Sequence, residues 1–173
     1  MTARVRKLLG VTAVAALISL CLSGPALTAA APRPGTQAPS FSAPLAANGN
    51  GSVTDAGLKG HGIYLNFFAS WCGPCKAEAP FIGRLSREFA RRRVVVVGVD
   101  ELERAQQAKN FAVQYRLPYR IALDSNGDIG SAYGLIGLPL HVFIGPDGKV
   151  VAVRTGELNE RQVTDYMRRI SSR

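Results

Sequence analysis

Residues 63–76 decide which fold this sequence can adopt, and they read Ile63-Tyr64-Leu65-Asn66-Phe67-Phe68-Ala69-Ser70-Trp71-Cys72-Gly73-Pro74-Cys75-Lys76. The first six residues are mainly apolar and follow a glycine, which is typical of a buried strand. From Gly73 to about Arg92 the pattern becomes helical, with apolar residues recurring on one side. The stretch therefore predicts a strand, a tight turn and a helix, with Cys72 at the N-terminus of the helix.

The predicted position of Cys72 favours a reactive thiolate. Unpaired backbone N–H groups and the helix dipole stabilise an anion at a helix N-terminus, and cysteines placed there have pKa values of roughly 3.5–7.5 instead of about 8.5. Pro74 suits the first helical turn, because its missing N–H would be unbonded there anyway. Cys75 lies one turn deeper, where it can close a disulfide. We therefore predict that Cys72 is the nucleophile and that Cys75 resolves the mixed disulfide.

Two other interpretations of the cysteine pair have to be weighed. Zinc needs four ligands, and the only other cysteine or histidine residues are Cys21, His61 and His141. Two inert core cysteines would not require the Trp-Cys-Gly-Pro-Cys context. A CxxC pair beside a βαβ pattern favours redox chemistry over both.

Two motifs, residues 66–80 and residues 133–139, resemble the thioredoxin superfamily, and within it the TlpA/ResA-type thiol-disulfide oxidoreductases of the redoxin group. The resemblance extends from about Gly35 to Ile170. It implies a thioredoxin-like α/β fold, in which helices flank a central mixed sheet. It also implies an N-terminal β-hairpin and an inserted helix and strand ahead of a cis-proline, which would be Pro139.

The resemblance also implies roles for residues around the cysteines. Trp71 would form a partly exposed platform beside the thiols, next to Gly73 and Pro74. The backbone of Leu138 would be offered to the substrate chain, and Pro139 would pack against the cysteines and keep metal ions away. We therefore predict that these five residues bind substrate.

Glu78 is the candidate proton acceptor for Cys75, because it follows Cys75 by three residues on the same side of the helix. Asn66 stands where thioredoxin itself carries a buried acid, and an amide cannot relay a proton. The resemblance places the matching glutamate beside the thiols. Two plainer interpretations stay open: Glu78 merely suits the helix dipole, and Asn66 is a hydrogen-bonded core residue.

His141 raises the alternative of a copper-site assembly protein or metallochaperone, because two cysteines and a histidine can hold copper. A histidine in the core or on a strand surface is the simpler interpretation. We predict no metal ligand, and no cofactor beyond the Cys72–Cys75 disulfide. A peroxidase is excluded by Ala69, because peroxiredoxins need a hydroxyl three residues before their reactive cysteine.

The chain divides into three parts by composition. Residues 1–31 combine early basic residues, an uncharged apolar run and small residues, which predicts a signal peptide or an N-terminal membrane anchor. Residues 32–39 are rich in Pro and Gly and are predicted to be a linker. Residues 40–173 are predicted to form the thioredoxin-like domain. A signal peptide and a membrane anchor both predict that the domain is exported to a compartment where disulfides persist.

The formal net charge is +9, and residues 1–31 contribute three of these charges. The remaining basic residues are scattered among acids, and residues 91–93 end a predicted helix, where cations suit the dipole. We therefore predict no nucleic-acid partner.

Hydrophobic patterns and turn signals predict the other elements. In chain order the predicted elements are a hairpin at 40–45 and 52–54, strands at 63–68 and 94–99, helices at 73–92 and 103–115, a short strand at 119–123 followed by a short helix, a hairpin at 140–144 and 150–153, and a helix starting at Asn159. Strands that alternate with helices indicate an α/β sheet with parallel strands.

These observations predict an exported, monomeric thiol-disulfide oxidoreductase. Gly-Pro between the cysteines resembles the reducing thioredoxins, whose potential is about −270 mV, rather than the oxidant DsbA, at about −120 mV. By family analogy, the substrates are disulfides of exported proteins such as apocytochrome c, and a membrane thiol donor of the DsbD/CcdA kind supplies electrons. The alternatives are a disulfide-forming oxidant and the copper protein described above.

Overall fold

The computed structural model describes residues 31–171, within which the chain forms seven β-strands and four α-helices. The prediction for residues 1–31 lies outside the described residues, apart from Ala31. In chain order the elements are β1 (Ser42–Ala47), β2 (Ser52–Thr54), β3 (Gly62–Phe68), α1 (Gly73–Ala90), β4 (Val94–Glu101), α2 (Ala105–Gln114), β5 (Arg120–Asp124), α3 (Asp128–Ala132), β6 (Leu140–Ile144), β7 (Val150–Thr155) and α4 (Glu160–Ile170).

The strands form one mixed sheet in the order β2-β1-β5-β4-β3-β6-β7. Strand β3 lies in the interior of the sheet and pairs in parallel with β4, the central strand, which pairs in parallel with β5. Strand β6 runs antiparallel to β3 and forms a hairpin with β7. The predicted N-terminal hairpin is confirmed as β1 and β2, and the inserted helix and strand as α2 and β5. The fold is therefore thioredoxin-like, as the sequence predicts.

Both faces of the sheet are buried. Successive strand residues point to opposite sides, so each strand contributes to both cores. Tyr64 and Phe68 of β3 face the cluster that α1, α2 and α4 cover. Leu65 and Phe67 of β3 face the second cluster, which contains Ile129 of α3. All seven residues of β3 are buried, so the strand that leads into Cys72 is held from both sides.

Two boundaries differ from the prediction. Strand β4 extends two residues beyond the valine run, through the buried acids Asp100 and Glu101. The residues predicted to be a linker are hydrogen-bonded to the domain. The backbone N–H groups of Gly35 and Ala38 donate to the carbonyls of Val150 and Gly148 at 2.8 and 2.9 Å. Composition alone could not reveal this pairing, because it depends on a hairpin more than 100 residues away along the chain.

Gly62 gives a stability prediction at the base of β3. A Cβ atom there would overlap the carbonyl oxygen of Ile170, the last residue of α4. We expect Gly62→Ala to lower the free energy of unfolding by about 1–3 kcal/mol, because α4 would have to shift. Urea unfolding measures the change, with Gly137→Ala as the control, since a Cβ at Gly137 meets no atom within 4 Å. Equal stability of both variants would contradict the close approach.

Candidate active site

Cys72 and Cys75 form a disulfide at the N-terminus of α1, with their Cα atoms 5.3 Å apart. Cys72 is the N-cap residue of the helix, and its sulfur accepts a hydrogen bond from the backbone N–H of Cys75 at 3.2 Å. The carbonyl of Cys72 accepts another from the N–H of Lys76. The helix N-terminus therefore points one N–H, that of Cys75, at the Cys72 sulfur, where it can stabilise a thiolate together with the helix dipole.

The disulfide is buried but lies next to exposed surface. Cys72 and Cys75 are 4% and 3% exposed, whereas Trp71 is 69% exposed. Gly73 and Pro74 are also exposed. Trp71, Gly73 and Pro74 therefore form exposed surface on either side of the buried Cys72.

The second predicted motif lies at the start of β6. The Leu138–Pro139 peptide bond is cis, as the resemblance implies. Leu138 is partly buried and packs against both core clusters. The carbonyl of Pro139 accepts a hydrogen bond from the N–H of Gly156 at 2.8 Å, which ties this turn to the segment between β7 and α4.

Glu78 is buried one turn beyond Cys75 on α1, and its carboxyl is 1% exposed. Its Oε1 atom accepts a hydrogen bond from the N–H of Leu158 at 2.6 Å. Burial raises the pKa of Glu78 to about 7; the Leu158 hydrogen bond opposes this, and the charge of Glu157 adds to it. A carboxyl with this pKa can take up and release a proton near neutral pH.

His141 is fully buried behind Glu78, so the interpretation as a core histidine holds. Burial lowers the pKa of His141 to about 4, and the ring is therefore neutral at physiological pH. The hydroxyl of Tyr64 donates to Nδ1 at 2.8 Å, and Nε2 donates to the carbonyl of Gly156 at 3.2 Å. Nε2 also lies 3.5 Å from Oε1 of Glu78. Between about pH 4 and pH 7 both groups are uncharged, so this contact is not an ion pair.

Asn66 is buried in β3, and its amide nitrogen lies 3.5 Å from Nδ1 of His141. It is the core residue that the sequence predicts. The amide supplies no titrating group, which leaves Glu78 as the buried acid on α1.

The acids where β4 and β5 end are functional candidates that the sequence pattern did not predict. Glu103 accepts hydrogen bonds from the N–H and the hydroxyl of Ser70 at 2.5 and 2.6 Å, and so holds the segment that precedes Trp71 and Cys72. The available signal was the run from Asp100 to Glu103, where acids follow a valine strand directly.

His141 is the histidine on which the alternative of a copper site depends. Among residues 31–171, no group of three or more His, Cys, Asp or Glu side chains is arranged to hold a metal ion. Both ring nitrogens of His141 already have hydrogen-bond partners.

This fold and this disulfide at the N-terminus of a helix define a thiol-disulfide oxidoreductase of the thioredoxin type. Residues 33–170 match the Redoxin family, and the chain belongs to that family.

Named relatives agree with this assignment. The thiol-disulfide oxidoreductase ResA of Bacillus thuringiensis subsp. konkukian is 36% identical over 114 residues, which cover 66% of this chain and 66% of that relative. ResA of Bacillus subtilis is 35% identical over 134 residues, covering 77% of this chain and 73% of the relative. A solved thiol:disulfide interchange protein from Chlorobium tepidum is 29% identical, with a TM-score of 0.70, covering 82% of this chain and 99% of that one.

Proposed function

We propose that the protein is an exported reductant that transfers electrons to disulfides of other exported proteins. The observation that carries the proposal is the Cys72-Gly73-Pro74-Cys75 disulfide at the N-terminus of α1, beside the exposed Trp71. Gly-Pro between the cysteines resembles the reducing thioredoxins, as opposed to the strong oxidant DsbA.

The reaction follows from the positions of the two sulfurs. In the reduced protein the Cys72 thiolate attacks a substrate disulfide, forms a mixed disulfide and releases one substrate thiolate. Cys75 then loses its proton and attacks the Cys72 sulfur, which releases the second substrate thiolate and re-forms the Cys72–Cys75 bond. The substrate gains two electrons and the dithiol loses two. We assign the proton from Cys75 to Glu78, which is buried one turn further along the same helix.

The substrate chain is held by the surface around the disulfide. Trp71, Gly73 and Pro74 are exposed beside it, and we propose that the backbone of Leu138, next to Pro139, pairs with the substrate. No further cofactor enters this cycle, because the disulfide itself carries both electrons.

The proposed cellular setting rests on the sequence of residues 1–31, which suits a signal peptide or an anchor. No helix within residues 31–171 has the length and apolar character needed to cross a membrane. We propose that a membrane thiol donor of the DsbD/CcdA kind re-reduces the protein, that it acts as a monomer, and that its substrates include the haem-site cysteines of apocytochrome c.

The reduction potential of the Cys72–Cys75 pair tests the direction of electron flow. Trp71 is the only tryptophan and adjoins Cys72, so its fluorescence in thiol/disulfide buffers reports the redox state of a chain starting at Pro32. We expect a potential of about −250 mV or lower. A value between about −120 and −150 mV would instead make the protein an oxidant that introduces disulfides.

A further inference from the structure

Four buried acids lie together where β4 and β5 end: Asp100, Glu101, Glu103 and Asp124. The alternation of strand residues divides them between the two faces of the sheet. Asp100 continues the side of Val94 and Val96, which faces α1 and α2, whereas Glu101 continues the side of Val97 and Val99, which faces α3. The four acids therefore form two separate pairs.

On the face of the sheet that packs against the cysteines, Glu103 has more hydrogen-bond donors than Asp100. It accepts the N–H and the hydroxyl of Ser70, and also the side-chain N–H of Gln107 at 3.0 Å. Three donors directed at one carboxyl hold it in a fixed position. Ser70 lies two residues before Cys72, so Glu103 fixes the backbone that leads into the disulfide.

Asp100 has the opposite surroundings. It is 0% exposed, and neither carboxyl oxygen has a hydrogen-bond donor among the residues that the structure describes. Its strand neighbours are Phe68 and Leu123, which are apolar. The group that acts on this carboxyl is Glu103, whose charge raises the pKa of Asp100. A buried carboxyl without a donor is stable only when protonated, and a protonated Asp100 can donate to Glu103.

We propose that Asp100 and Glu103 share one proton and act as a clamp that positions Ser70 and the segment up to Cys72. Both are positioning residues, because they act on the disulfide through Ser70. Loss of the shared proton places two negative charges side by side in the core, and repulsion then loosens the hold of Glu103 on Ser70. The clamp does not depend on the direction of electron flow.

The pKa of Asp100 agrees with this geometry. Burial, the charge of Glu103 and the hydrogen bond to Glu103 raise it to about 8. Other titratable groups on this face are Tyr64 of β3, Tyr119 ahead of β5 and the cysteines at the start of α1, with Tyr115 and Tyr166 at the edge of the same cluster. His141 of β6 and Glu78 of α1 lie beyond Tyr64 on this side, and Glu101 is the next residue of β4. Because a raised pKa favours the protonated folded form, this contribution to stability is present below about pH 4 and is lost as the pH rises through about 8.

The second pair supplies a matched control on the opposite face. Asp124 accepts the N–H of Gly130 at 2.8 Å, while the oxygens of Glu101 have no donor among the described residues. Burial and the charge of Asp124 raise the pKa of Glu101 to about 8 as well. Glu101→Gln therefore removes a similar titration without touching Ser70.

Fluorescence of Trp71, which follows Ser70, tests the clamp in the full chain kept in mild detergent. The oxidised protein is titrated between about pH 6 and 9.5, so that neither Cys72 nor Cys75 contributes a thiol. We expect a step in the emission of the wild type near pH 8, the same step in Glu101→Gln, and no step in Asp100→Asn. Glu103→Gln should show the alkaline emission already at about pH 6.

A second readout is the rate at which dithiothreitol reduces the disulfide, corrected for its thiolate fraction. It should rise severalfold across the step in the wild type and stay level in Asp100→Asn. A wild type without a step, a step that persists in Asp100→Asn, or a step abolished by Glu101→Gln would overturn the clamp. If Asp100→Asn fails to fold, wild-type emission from Glu103→Gln at about pH 6 overturns it instead. No substrate protein is used, so the result stands apart from the test of electron flow.

Discussion

Cys72→Ser is expected to lower the rate of disulfide reduction by about a thousandfold or more, because a serine hydroxyl stays protonated at neutral pH and cannot replace the thiolate. Cys75→Ser should also stop turnover, but for a different reason. Cys72 can still attack, and the mixed disulfide then accumulates because nothing resolves it. A turbidity assay with a disulfide-bonded test protein measures both losses.

Cys21→Ser is the matched control for these two variants. Cys21 is the only other cysteine and lies in residues 1–31, so its loss should leave the rate unchanged. Substantial activity in Cys72→Ser would contradict the assignment of the nucleophile.

Glu78→Gln is expected to slow turnover by about a hundredfold at neutral pH, since a glutamine cannot accept the proton of Cys75. The wild-type rate should rise as Glu78 ionises around pH 7, and this rise should be missing in the variant. Stopped-flow measurement of mixed-disulfide resolution between about pH 5.5 and 8.5 follows the effect directly. The thiol titration of Cys75 should change as well, without unfolding of the domain.

The same substitution changes how stability depends on pH. The pKa of Glu78 rises from 4.5 to about 7 on folding, so the folded protein holds a proton that the unfolded chain has released. Its contribution, at most about 3 kcal/mol, is present below about pH 4.5 and lost as the pH rises through about 7. In Glu78→Gln, the free energy of unfolding measured with urea should not show this fall between about pH 4.5 and pH 7.

Glu157→Gln is a suitable control for Glu78. Glu157 is exposed, and its charge contributes to the raised pKa of Glu78. Its removal should shift the pH–rate profile slightly to lower pH without slowing the reaction. An unchanged profile and an unchanged thiol titration in Glu78→Gln would mean that Glu78 has no part in proton transfer.

The sequence predicted the fold well because its strongest signals are local. The apolar run of β3, the valines of β4 and the helix start at Asn159 each depend on residues that are close in sequence, and the structure confirms them. Cys72 at the helix N-terminus follows from the same local pattern.

The surroundings of the active site could not be predicted in this way, because they depend on contacts between distant residues. Glu78 meets the N–H of Leu158 across 80 residues, and Tyr64 meets His141 across 77. Glu103 reaches Ser70 across 33 residues. An acid next to a valine strand normally marks the end of burial, so the sequence could not show that partners keep these acids inside.

Mass spectrometry of a trapped intermediate tests the central claim most directly. Reduced Cys75→Ser is mixed with a disulfide-bonded peptide, quenched with acid, digested and sequenced. The proposed reaction predicts one peptide joined by a disulfide to Cys72. Absence of the adduct, or an equally rapid adduct on Cys75 in Cys72→Ser, would contradict it.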